Sequence, residues 1–100
     1  MDDKEKTQMM FIQLVSMFQG AALQQMGKLK NPVTEKVEKE MQQAQLSIDV
    51  LDMLKEKSRG NLSPDEERFL TGVLQDLKLN YVDELAKGSQ PPAEPQKAAQ

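Results

Sequence analysis

The 100-residue chain contains no cysteine, no histidine and no tryptophan, and its only aromatic side chains are one Tyr and three Phe. Without Cys or His there is no disulfide framework, thiolate nucleophile, zinc finger or imidazole acid/base, which excludes most familiar catalytic chemistry. The five glycines are scattered at 20, 27, 60, 72 and 88, so no glycine-rich loop is present to cradle a phosphate. No block of one charge sign appears either: 16 acidic and 13 basic residues are interspersed, for a net charge of −3. The local basic groups, Lys28 with Lys30 and Lys55, Lys57 with Arg59, sit at expected helix C-termini, where cations offset the helix dipole. No aromatic interleaves them, so neither phosphate neutralisation nor base stacking has a platform, and no nucleic-acid partner is expected. Met1 is followed by Asp2 and Asp3 where a secretory leader would carry basic residues, so a cytoplasmic protein is expected.

With 38% apolar and 29% charged side chains, what is there is one small domain. Its most unusual segment is Thr7 to Gly27, which carries no charge between Lys6 and Lys28. The segment is long enough to reach across a bilayer, but Gln8, Gln13, Gln19, Gln24 and Gln25 are costly to bury in hydrocarbon, which argues against a membrane span. On a helical wheel the polar Gln13, Ser16, Gly20 and Gln24 gather into one narrow stripe. Phe11, Val15, Phe18, Ala22 and Met26 run along one apolar face, flanked by Ile12 and Leu23, and Met10, Leu14, Met17 and Ala21 lie on the opposite flank. The apolar arc spans roughly 240°, against the roughly 100° that a helix covering one side of a small core needs. One neighbouring helix cannot cover it.

The pattern predicts a charged, flexible N-terminus over 1–6 and a single helical domain over 7–88, with helices at about 7–26, 34–58 and 64–87. Gly27 suits a helix stop, and Asn31-Pro32 reads as a turn or as a cap with Pro at the first helical position. From there to Ser58 the chain lacks Gly and Pro and favours helix, although Val33, Thr34 and Glu35 to Glu40 fit a frayed turn or loop equally well. Val37, Met41, Ala44, Ile48 and Leu51 form one seam of the second helix, and Leu46, Val50, Met53 and Leu54 form a second apolar set. Gly60 to Glu66 holds a helix stop and a new start: Gly60 for the left-handed cap, Ser63 as N-cap, Pro64 in the first turn and Glu66 to close a capping box. So short a connection makes the second and third helices antiparallel neighbours. The third helix shows one stripe, Leu70, Val73, Leu74, Leu77, Tyr81 and Leu85, and ends at Gly88. Residues 89–100, with Pro91, Pro92 and Pro95, read as a disordered tail.

Carboxylates do fall at helical spacing, Asp49 with Asp52 and Glu56, and Asp65, Glu66 and Glu67 at a helix start. A single exposed face supplies too few oxygen ligands for calcium or magnesium, and acids at a helix start serve the dipole, so both groups read as solvated surface. No metal, cofactor or enzymatic activity is expected. Seven methionines, with Met9, Met10, Met17 and Met26 in the first helix, suit a groove for varied apolar partners, or the filling of a core or an oligomer seam.

The run LSIDVLDMLKEKSRGNLSPDEERFLTGVLQDLKLNYV, Leu46 to Val82, resembles a family of small bacterial proteins known as domain-of-unknown-function family 1844. The most specific part is Asp49, Leu51, Met53, Leu54 and Lys57 followed by Gly60-Asn61-Leu62-Ser63 and the acids. Upstream, Phe11, Leu14, Val15, Ser16, Ala22, Leu23, Gly27 and Pro32 are similar to the same family, and the resemblance covers about residues 9 to 83. The segment after Pro32 departs from it, being longer and richer in Lys and Glu. The resemblance implies a helical cytoplasmic protein with no assigned activity, and no functional residue comes with it.

The expected architecture is therefore an all-α, three-helix antiparallel bundle with an uncharged N-terminal helix, completed by homo-oligomerisation, with a dimer favoured. The expected function is a self-associating module that holds another protein through the first helix, at Met10, Phe11, Leu14, Val15, Met17, Phe18 and Ala22, and through the C-terminal half of the second, periodicity leaving open which flank of the first helix faces its own chain. The alternative is a peripheral membrane protein whose first helix lies in the interface; such helices usually carry Lys or Arg on the polar face, whereas this one carries Gln, Ser and Gly.

Overall fold

An Asp followed three residues later by a Glu can close a helix start from both sides, and here it does. In the computed structural model, which describes residues 2–88, α1 runs Asp3–Gln25. The Asp2 carboxylate accepts from the Glu5 amide at 2.7 Å, and the Glu5 carboxylate accepts from the Asp2 amide at 3.2 Å. The start expected at Thr7 is thus corrected to Asp3, and residues 3–6 are helical. Reciprocal capping, with Asp3 and Glu5 at the positive end of the helix dipole, outweighs the mixed charges of that stretch. At the other end Gly27 takes φ 87°. Its amide bonds the Gln24 carbonyl at 3.0 Å and the Lys28 amide bonds that of Leu23 at 2.8 Å, which closes the last turn on a left-handed cap.

For the start of the second helix, the structure takes the loop reading of Val33 to Glu40 over the helical one. α2 is Met41–Lys57, and the stretch 34–40 assigned to it is loop. Asn31 explains this: its side-chain oxygen accepts from the Val33 amide at 2.8 Å and the Thr34 amide at 3.4 Å, giving the backbone a turn in place of a helix. Backbone bonds Glu35 to Asn31 (2.7 Å) and Asn31 to Lys36 (2.8 Å) complete it, with an isolated antiparallel bridge between Lys30 and Val37. The β-branched Val37 suits the extended backbone of that bridge. Val37 therefore leaves the expected seam and stands exposed.

Between α2 and α3 (Pro64–Gly88) the capping box forms as expected. The Glu66 amide donates to Ser63 Oγ at 3.1 Å and the Ser63 amide to Glu66 Oε1 at 2.8 Å, while Gly60 adopts φ 84°. Ser63 Oγ also donates to Gln8 Oε1 at 3.3 Å, placing the start of α1 beside the start of α3. At the far end Lys28 reaches Asp83 and Glu84 near the end of α3. So α1 and α3 run parallel, with α2 antiparallel between their ends. All three helices touch one another.

The core is one cluster: Val15, Ala22 and Met26 from the first segment, Ala44, Ile48 and Leu51 from α2, and Leu70, Val73, Leu74 and Leu77 from α3. Phe11, Phe18, Phe69 and Tyr81 pack against its rim. Leu85, the last member of the expected α3 stripe, stays half exposed. The expected tail, 89–100, lies outside the described residues.

Candidate functional site

The wheel that places two apolar flanks on α1 leaves open which of them meets the rest of the chain. Packing against α2 and α3 settles it. Phe11, Val15, Phe18 and Ala22 recur at four, three and four residues, the seam by which a helix meets two neighbours. Val15 and Ala22 are 0% exposed, and Phe11 and Phe18 are half buried against the core. The expected interaction set is therefore corrected by half. Val15 and Ala22 are enclosed in their own protomer and are not available to a partner, and Phe11 and Phe18 offer only an edge.

Met10, Leu14 and Met17 point the other way and are 58%, 40% and 68% exposed. Ala21 continues the line one turn further and is partly exposed. Beside this line Ser16, Met17, Gly20, Ala21 and Gln24 face Leu29, Lys30 and Pro32 across an open groove. Gly20 forms part of its floor, and a methyl group built on it would meet no other atom within 4 Å. The polar stripe seen on the wheel thus lies along the groove, next to the apolar line. No charged side chain of α1 falls between Thr7 and Gln25.

Charge is concentrated instead at the end of the bundle where α1 gives way to the loop. Glu84 is buried, with 8% of its side chain exposed, and takes Lys28 at 2.8 Å, Lys39 at 2.9 Å and Lys87 at 3.2 Å. Burial pushes its carboxyl up, but hydrogen bonds from the three ammonium groups outweigh that and hold it down to about 2. Asp83 is also lowered, by hydrogen bonds from Lys28 and Lys87, and both lysines are raised in return. Every member of this knot has a partner, so it fastens the loop and leaves no cation free for a ligand. Periodicity did not signal it, because its members come from segments far apart in the chain.

The acidic groups noted on α2 and α3 are likewise engaged singly. Asp49 accepts from Gln45 at 2.8 Å, Asp52 pairs with Lys78 at 3.0 Å and Glu56 pairs with Arg59 at 2.6 Å. Asp65 pairs with Arg68, and Glu66 is spent on the Ser63 cap. Among the described residues no group of three or more such side chains is placed to hold a metal ion, and no helix is long and apolar enough to cross a membrane.

Other apolar side chains are exposed as well. Leu46 and Met53, from the second apolar set of α2, face outward, as do Leu79 and Val82 on α3. The α3 pair went unnoticed in the sequence because neither belongs to a periodic stripe. The line on α1 is distinguished by the absence of charge around it.

No curated protein and no solved structure matches the chain. A family model matches over residues 8–83, from the first turns of α1 to the ion-paired end of α3. That span takes in the α1 seam, both cap glycines and the Ser63–Glu66 box, and the chain belongs to the family described as domain of unknown function (DUF1844).

Proposed function

We propose that the protein is a non-enzymatic, cytoplasmic, self-associating helical interaction module, and that its docking face is Met10, Leu14 and Met17 on α1. One observation carries the reading: three large apolar side chains stand exposed in a line on the uncharged stretch of a helix whose inner seam already fills the core. Continuous exposed apolar surface is costly in a soluble protein and marks places where another surface docks. A symmetric dimer is the most economical cover, since one patch then hides two copies of itself. A protein surface is preferred to a bilayer as the occupant because the exposed side of α1 offers no cation to anionic lipid between Thr7 and Gln25.

Sedimentation equilibrium tests this directly. The wild-type chain is expected at twice its 11.3 kDa mass, and the double variant Leu14→Glu with Met17→Glu at the single mass with unchanged helical circular dichroism. Val15→Asp is the contrasting variant: Val15 is fully enclosed, so the substitution costs about 3–5 kcal/mol of folding stability and unfolds the bundle. A wild-type chain that stays monomeric at high concentration sinks the proposal, and flotation of that monomer with lipid vesicles would transfer the face to a membrane.

A further inference from the structure

Resting on the self-association just proposed, we infer that the second copy docks antiparallel on α1, about a twofold axis between Val15 and Ser16, so that Met10 of one copy faces Ala21 of the other and Leu14 faces Met17. The outward line is Met10, Leu14, Met17, Ala21, with separations of four, three and four. That series reads the same in both directions. Turning one helix end for end about the midpoint therefore lays the line onto itself, as an isologous contact requires.

Size and shape choose this direction over the parallel one. In a parallel pair each residue meets its own kind, so Ala21 faces Ala21 and leaves a gap while Met10 crowds Met10. In the antiparallel register each long thioether of Met10 meets the small Ala21, beside the groove floored by Gly20 and walled by Leu29 and Pro32. Gly20 has no packing reason within its own protomer, since a Cβ there would touch nothing. An unbranched, flexible Met side chain is suited to such an irregular hollow.

Charge points the same way. The antiparallel register brings Asp2 and Asp3 of one copy to the end of α1 where Lys30 of the other stands in the loop, Lys28 being held by Asp83 and Glu84. Parallel packing would set Asp2 and Asp3 of the two copies side by side. Between those ends, Thr7 to Gly27 contributes no charge from either copy, and opposed helix dipoles add to the preference.

The chain has no cysteine, so single thiols can be placed without background. Met10→Cys and Ala21→Cys variants, one carrying a size tag, are each treated with a short bifunctional thiol reagent alone and after mixing. Homotypic residues 10 lie about 16 Å apart along the axis in the inferred register, whereas 10 and 21 are level, at the about 8–10 Å spacing of packed helices. The expected result is a mixed 10–21 product several-fold above either homotypic product. Homotypic 10–10 and 21–21 products, with a dimer mass in solution, overturn the register and leave self-association standing. A dimer mass with none of these products places the contact on another face and overturns the inference. A monomer mass with no product of any kind removes the underlying reading as well.

Discussion

Gly27 and Glu84 each answer for one end of the loop that joins α1 to α2. Gly27 sits at φ 87° with Lys39 Cγ 3.0 Å from where a Cβ would be. Gly27→Ala therefore combines left-handed strain with a tight contact and is expected to cost about 1–2 kcal/mol, read as a lower midpoint in urea. Glu84 works through charge. Its carboxyl is depressed from 4.5 to about 2 in the folded chain, so it stabilises the fold above pH 4.5 and loses that contribution as pH falls through 2. Glu84→Gln is expected to lower stability at pH 7 by about 1–3 kcal/mol. Its unfolding midpoint is also expected to vary less with pH than that of the wild type between 4.5 and 2. Equal pH dependence of the two proteins would show that the three lysines do not hold the carboxylate down. The glycine was legible in advance, because a stop signal is local in sequence. The carboxylate was not, because nothing in residues 28, 39, 84 and 87 taken singly announces that they meet.

For whole elements, the reach of periodicity is plainest in α1. Counting apolar positions showed that the helix has more greasy surface than one neighbour covers, but a wheel has no inside until the other helices are placed. The seam at Phe11, Val15, Phe18 and Ala22 and the line at Met10, Leu14 and Met17 are equally apolar, and packing alone assigned the first to the core. The starts of α1 and α2 are set for one shared reason that periodicity does not carry: short polar side chains redirect the backbone locally. Asp2 extends a helix that a change in charge pattern had seemed to delay, and Asn31 stops one that residue propensity had seemed to continue. Gly20 lets the element be tested against the assembly. It lies mid-helix with nothing near its missing side chain, as does Gly72 on α3. Alanine at either position is expected to raise protomer stability by about 0.5–1 kcal/mol. Only Gly20→Ala should weaken the dimer, by narrowing the groove beside Ala21. If both substitutions leave the dissociation constant unchanged, the groove takes no part in docking.

Across the whole molecule, the bundle is fastened differently at its two ends. Where α1 and α3 begin, one hydroxyl-to-amide hydrogen bond from Ser63 to Gln8 spans the gap. Where they finish, Lys28, Lys39 and Lys87 converge on Glu84 and tie in the loop that carries Leu29 and Pro32. The rim of the groove is thus held against α1 by the knot, so loosening the knot at low pH should loosen the proposed docking face with it.

The thioethers provide their own readout of that face. Met10, Met17 and Met53 stand in solvent on one protomer while Met26 is sealed in the core, so dilute peroxide should convert the first three to sulfoxides long before the fourth. As protein concentration rises into the range where two copies pair, Met10 and Met17 should become slower to oxidise in peptide mass spectra, and Met53, on a different helix, should keep its rate. The surface proposed to draw a second copy is built from the side chains most easily spoiled by oxidants, so an assembly held there would fail under peroxide before the fold does.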